Sequence, residues 1–247
     1  MQIIGNNIIR LHEVDSTNNF AANLVNQTKA PEGTVILAHF QSQGRGQRGT
    51  EWQSAIGQNL TFSVVLIPKN LLVEDQFMVS RFIALALCEA LEELVGIKAE
   101  IKWPNDILMH DRKVAGVLIE NMLNGKFVSS SIVGIGVNVN QNDFAGIPRA
   151  SSLFLESGRS FDTENVLSVI LASVDYYYQV WQRKQFARIE QAYLERLYRF
   201  NQRGDFRIDG QNHRAIVVGV QQNGRLQLKI ETGQILDFDI KEVEFLY

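Results

Sequence analysis

The chain has 247 residues, 45% of them hydrophobic, with 24 basic against 27 acidic side chains and a net charge of −3. That is apolar material enough for one large domain, or a medium one with a small appendage, and it argues against disorder. The near-neutral charge and the lack of a basic block argue against nucleic acid as a partner. No apolar run approaches the ~20 residues that span a bilayer. The first residues, MQIIGNNIIRLHEVDS, lack the regions of a secretory signal. The single cysteine, Cys88, lies in the apolar run IALALCEAL and is expected as a buried thiol. Four histidines, His12, His39, His110 and His213, have no ligand spacing, so no structural metal is expected. These features together predict a soluble, cytoplasmic protein.

In chain order, NIIRLHEV (7–14) alternates as a strand and DSTNNFAANLVNQ (15–27) reads as a short helix capped by Asp15, Ser16 or Thr17. TVILAHF (34–40) and NLTFSVVLI (59–67) read as strands, and residues 74–95 as a long helix, deeply packed from Phe82 to Leu91. Short strands follow in AEIKW (99–103), ILMH and KVAGVLIEN (113–121), divided by turns at Pro104-Asn105-Asp106 and Asp111-Arg112. Asn124-Gly125 is a type I′ hairpin signal before FVSSSIVGIGVNVN (127–140). Residues 163–199 are helical by pattern, with a Thr163 cap and a break near Arg183 to Gln185. From Gly204 the chain changes to short alternating runs that read as a five-strand miniature barrel, too small for an independent core and so expected to pack on the rest. The succession of hairpins predicts an α+β fold with a mixed, largely antiparallel sheet and packed helices, not a doubly wound parallel one.

Between the second and third strands stands QSQGRGQRGTEW (41–52), with three glycines and two arginines inside six positions. Glycine lets a backbone approach a ligand and present its N–H groups; arginine suits carboxylate or phosphate. Alone, such a loop is more often a solvated surface segment. It is not the phosphate-binding loop that opens a helix with GK[ST], because Trp52 and Gln53 follow. KWPND (102–106), RKVAG (112–116) and GIGVNVN (134–140) each also have an ordinary reading as turn or strand.

The set DSTN, QxxGRGxRGxxW, KWPNDI, RKVAGVLIE and GIGVNVN, in this order over about residues 15–140, resembles the biotin–protein ligases. The resemblance implies a catalytic domain similar to that of class II aminoacyl-tRNA synthetases over residues 1–200 and an SH3-like β-barrel over 201–247. It implies ATP-dependent formation of biotinyl-5′-AMP, then transfer of biotin to one lysine of a biotin carboxyl carrier protein. Magnesium is implied as the counter-ion of ATP, held through its phosphates. By motif position, Ser16, Thr17, Asn18 and Gln41 match biotin contacts, and Arg45, Gly46 and Gln47 the loop that folds over it. Gly116, Gly134 and Gly136 match the strands against which biotin lies. Lys113 matches the lysine that reaches the carboxylate and then the anhydride phosphate, and with Arg45 is the expected catalytic cation. Arg48, Trp52, Asn59, Lys102, Asn105 and Asn138 fall at nucleotide-contacting positions, with Asp106 in the same turn.

The chain departs from the family's GRGRxGR at two positions, Gln47 and Thr50, and its last residues EVEFLY lack the basic group often found there. The pattern starts within ~15 residues of Met1, too few for a helix-turn-helix module, so a monofunctional ligase without DNA binding is expected. Exposed strand edges permit a homodimer. A lipoate or octanoate ligase or transferase is the nearest alternative; a non-enzymatic binding module gives no reason for Lys113, Arg45 and Asn138 to occur together.

Overall fold

The computed structural model describes residues 2–28 and 30–247, with the side chains of Thr28 and Arg48 outside the described set. The first unit is β1 (Ile8–Val14), α1 (Thr17–Thr28) and β2 (Val35–Gln41), with β1 and β2 parallel, as a helical crossover requires. Next come β3 (Leu60–Leu66), α2 (Phe77–Val95), β4 (Glu100–Lys102), β5 (Asp106–Met109), β6 (Arg112–Asn124) and β7 (Phe127–Val137). They complete a seven-stranded sheet in the order β1-β2-β3-β7-β6-β5-β4, antiparallel beyond β2. Three helices follow, α3 (Leu153–Ser157), α4 (Thr163–Gln182) and α5 (Phe186–Glu195). A five-stranded antiparallel sheet closes the chain: β8 (Arg203–Ile208), β9 (Gln211–Val220), β10 (Leu226–Ile230), β11 (Ile235–Phe238) and β12 (Val243–Leu246), in the order β11-β10-β9-β8-β12. The expected α+β class and mixed sheet are present. No described helix is long and apolar enough to cross a membrane.

Strand alternation gives the large sheet two unlike faces. Phe62, Val64, Val133, Ile135 and Val137 turn to the main core with Phe82, Leu85, Leu87 and Leu91 of α2 and Val166, Ile170 and Tyr178 of α4. Cys88 is fully buried there, and desolvation pushes its thiol pKa far up, so the thiol is inert. The opposite face is covered at one end by α1, where Ala21 packs with Ile36, Val65 and Ile132. Further along that face the residues are small or polar. Register sets Thr61, Gly136 and Gly116 in one row and Ser63, Gly134 and Leu118 in the next. A sheet face with few large side chains leaves a hollow.

The small sheet is tied to the large one through α2 and the turn after β4. Arg81, buried on α2, donates to the carbonyls of Val220 (2.8 Å) and Gln221 (2.9 Å), and Trp103 Nε1 donates to that of Gly224 at 2.9 Å. The expected packing of the tail on the body is therefore found.

Local details differ from expectation. Asp162, not Thr163, caps α4, its carboxylate accepting from Glu164 N, because the residue before the first helical turn has the extended backbone a cap needs. The β6–β7 turn is Gly125-Lys126, with a left-handed φ at Gly125 alone, so it has the glycine-first pattern of type II′ rather than I′. The helical pattern over 163–199 ends at Glu195. The five-residue α3, capped by Ser152, carries too few turns to show a period in sequence.

Candidate active site

The small-residue face lines a cavity of about 380 Å³. Its floor is glycine because other groups press on it. A Cβ on Gly134 would stand 2.5 Å from Asn18 Oδ1, and one on Gly136 would fall inside the Trp52 indole. Neither glycine has a left-handed φ, so close approach rather than backbone conformation excludes a side chain.

One end of the cavity is polar. Ser16, Thr17 and Asn18 stand at the start of α1 and are almost fully buried. Thr17 N and Oγ1 lie 2.7 and 3.0 Å from Gln41 Oε1. Ser63 Oγ lies 2.7 Å from both Thr17 Oγ1 and Asn18 Oδ1. Gln41 thus has its amide oxygen committed, and its nitrogen is the end left to donate. At the helix entry, the Asn19 amide and the Ser16 N–H hold the Asp15 carboxyl below its usual pKa.

The other end is cationic. Lys113 Nζ lies 2.6 Å from Asp106 Oδ1 and 5.5 Å from the centre of the Trp52 ring. Arg45 stands instead at the polar end: it pairs with Glu120, whose Oε2 also accepts from Asn18 Nδ2, and the side chains of Arg45 and Glu120 are both 41% exposed. Trp52 Nε1 is buried with no hydrogen-bond partner among the described residues. Asn105 lines the same wall, its Nδ2 donating to Val117 O at 2.8 Å.

The glycine loop folds on itself. Trp52 N donates to Gly44 O (2.9 Å), Gly46 N to Thr50 O (2.7 Å), and the Thr50 hydroxyl to Gln47 O (2.8 Å). Thr50, where the family pattern has arginine, closes the tight turn around residues 47–49. Gln47 faces the cavity.

Ser16, Thr17, Asn18, Gln41, Arg45, Gly46, Gln47, Trp52, Asn105, Lys113, Gly116, Gly134 and Gly136 are thus brought to one cavity. Three expected nucleotide contacts lie elsewhere. Asn59 Nδ2 donates to Gln141 Oε1 (2.5 Å) while its Oδ1 accepts from Val139 N; Asn138 Nδ2 donates to Ser151 O. Both amides brace the chain leaving β7. Lys102 sits over the rings of Phe245 and Tyr247 of the small sheet. Arg48's side chain lies outside the described residues.

Sequence reasoning did not single out Thr61, Ser63, Glu120 or Ile240. Thr61 and Ser63 carry a signal, being polar at alternate positions of an otherwise apolar strand, and Glu120 shares a face with Gly116. Ile240 carries none: it reaches the cavity from the small sheet's loop.

The family model for biotin/lipoate A/B protein ligases matches residues 11–138. The chain is 34% identical over 193 residues to the bifunctional ligase/repressor BirA of Bacillus subtilis, covering 76% of this chain and spanning 59% of that protein. It is 34% identical over 232 residues to the biotin–[acetyl-CoA-carboxylase] ligase of Paracoccus denitrificans, covering 91% of this chain and 95% of that one. Its fold matches the Aquifex aeolicus biotin protein ligase in complex with biotin and ATP at a TM-score of 0.79, with 28% identity over 98% of this chain and 99% of the other. With its glycine-floored cavity, its cationic loop and these matches, the chain belongs to the biotin/lipoate A/B protein ligase family.

Proposed function

We propose that this chain joins biotin to ATP as biotinyl-5′-AMP, releasing pyrophosphate, and then passes the biotinyl group to a lysine of a biotin carboxyl carrier protein. The observation that carries this reading is that Arg45 and Lys113 line one cavity together with the buried polar groups of Ser16, Thr17 and Asn18. In the first step a substrate carboxylate attacks the α-phosphorus and pyrophosphate leaves. Two anions must meet, and fixed cations offset their repulsion in a site that excludes water. Lys113, a compact charge on a flexible stem, can leave Asp106 and follow the oxygen from carboxylate to mixed anhydride. In the second step the acceptor amine attacks the anhydride carbonyl, AMP leaves, and an amide forms. Arg45 and Gln47, on the loop above, are placed to shield the anhydride until the carrier arrives.

The polar end favours biotin over lipoate. A ureido ring can donate to and accept from the Ser16–Asn18 and Gln41 groups, whereas a dithiolane offers them no hydrogen bond in exchange for water. Magnesium would travel with ATP and aid charge neutralisation at the phosphates. Asp106 and Glu51 are the carboxylates lining the cavity, too few for a protein cage, which fits a cation held chiefly by the nucleotide. We further read residues 1–200 as the catalytic unit and 201–247 as an appended barrel.

Incubation with ATP, biotin and a carrier domain, read by mass, tests the proposal: biotin should be transferred to the carrier, and pyrophosphate exchange should depend on biotin and not on lipoate. Lys113→Ala should slow exchange about 10²–10³-fold. Adenylation near the wild-type rate in that variant would mean the chemistry lies elsewhere.

A further inference from the structure

Glu120 lies on the cavity side of β6, two residues beyond Leu118 and four beyond Gly116. Its Oε2 is the meeting point of two donors from different parts of the chain. Asn18 Nδ2, from the start of α1, lies 2.7 Å away, and Arg45 Nη2, from the glycine loop, binds the same oxygen. Asn18 is held at its other end as well, where Ser63 Oγ stands 2.7 Å from Oδ1. An amide with its nitrogen on a carboxylate and its oxygen on a hydroxyl has its orientation fixed.

We propose that Glu120 is a positioning residue that couples the start of α1 to the glycine loop. It orients Asn18 for the ring of biotin, and it is the counter-ion that Arg45 leaves when an anionic substrate arrives. This rests on the function proposed above. The unequal burial of the two bonds supports the exchange. Asn18 is 3% exposed, so its bond to Glu120 is shielded and persists. The Arg45–Glu120 pair is open to water on both sides, and such pairs are weak, so a carboxylate or phosphate in the cavity can take the guanidinium at small cost. Once Arg45 departs, the shared oxygen serves Asn18 alone, and the ring is held more firmly. By reciprocity, a well-seated ring eases the departure of Arg45.

The test is biotin-dependent ATP–pyrophosphate exchange on the full chain, with thermal melting alongside, for Glu120→Gln and Glu120→Asp. Glutamine has no charge for Arg45 and sets a second amide donor near Asn18. It should raise the KM for biotin about tenfold, as loss of one charge-assisted hydrogen bond implies. The KM for biotin should change more than kcat or the KM for ATP, because Arg45 has already left Glu120 once the anionic substrates are bound. Aspartate keeps the charge and should give an intermediate KM for biotin. A wild-type KM for biotin in the glutamine variant would overturn the assignment. So would a joint loss of kcat, both affinities and melting temperature, because that pattern marks a merely structural residue. Absence of exchange in the wild-type chain would instead sink the ligase function, and this inference with it.

Discussion

Gly134→Ala is the smallest change that tests how the cavity is built. The glycine has no left-handed φ, so alanine costs nothing in backbone conformation. The added Cβ would stand 2.5 Å from Asn18 Oδ1, 3.0 Å from Cγ and 3.1 Å from Nδ2, inside comfortable van der Waals separation at all three atoms. Asn18 is too deeply buried to back away and must swing. Swinging breaks the bonds with Ser63 and Glu120, each 2.7 Å long. One neutral and one charge-assisted hydrogen bond together represent about 3 kcal/mol, divided between stability and binding. If about 2 kcal/mol falls on binding, biotin affinity drops roughly 30-fold. The remainder lowers Tm by roughly 2–4 °C. Titration calorimetry with biotin and a thermal melt measure both. Gly125→Ala is the control: its Cβ meets nothing within 4 Å, its φ is +59°, and it should lose stability without losing biotin affinity. Wild-type biotin affinity in Gly134→Ala would refute the claim that Asn18 is pressed on the sheet and matters to the ligand.

Among the described residues, the backbone hydrogen bonds of residues 44–52 run within the loop, so biotin should slow limited proteolysis over 42–52; equal cleavage with and without biotin would count against its closing on the ligand. Gln47→Arg restores the charge of the family pattern at the cavity and should reduce the biotinyl-AMP escaping into solution, measured chromatographically; identical release would show that Gln47 does not limit retention. Arg81→Ala orphans two carbonyls of the small sheet and should cost about 3 kcal/mol, seen as a fall in Tm of roughly 6–12 °C, whereas an unchanged Tm would mean that the Arg81 bonds do not hold the two sheets together.

How legible the molecule was in its sequence depended on where each signal resides. The strands and long helices carry their burial in local periodicity, and α2 was plain because its run is apolar on most faces from Phe82 to Leu91. The glycines of β6 and β7 signalled close approach correctly, since nothing else explains Gly134 and Gly136 in buried strands. The asparagines are less legible. Asn59 and Asn138 occupy expected nucleotide positions, yet their amides hold backbone groups, and a sequence cannot tell a brace from a ligand contact. Lys102 points to the small sheet because Phe245 and Tyr247 approach it from some 140 residues further along the chain, a contact no local pattern contains. Ile240 was invisible for the same reason.

The pairing of the two cations explains why flexible backbone and fixed charge occur together in this loop. Arg45 and Lys113 alone at one cavity would repel each other, and a glycine-rich segment would let the arginine swing away. Glu120 and Asp106 hold one cation each, from the same sheet, so each pair is neutral yet keeps its cation in place. Neutrality lowers the pull on any single anion, so a stray phosphate gains little by entering. A ligand that presents a ring to Asn18 and an anionic group to Arg45 gains from both contacts, because both donors meet on one oxygen of Glu120. Selectivity at such a site follows from making the cations expensive to reach for a ligand that satisfies only half of it.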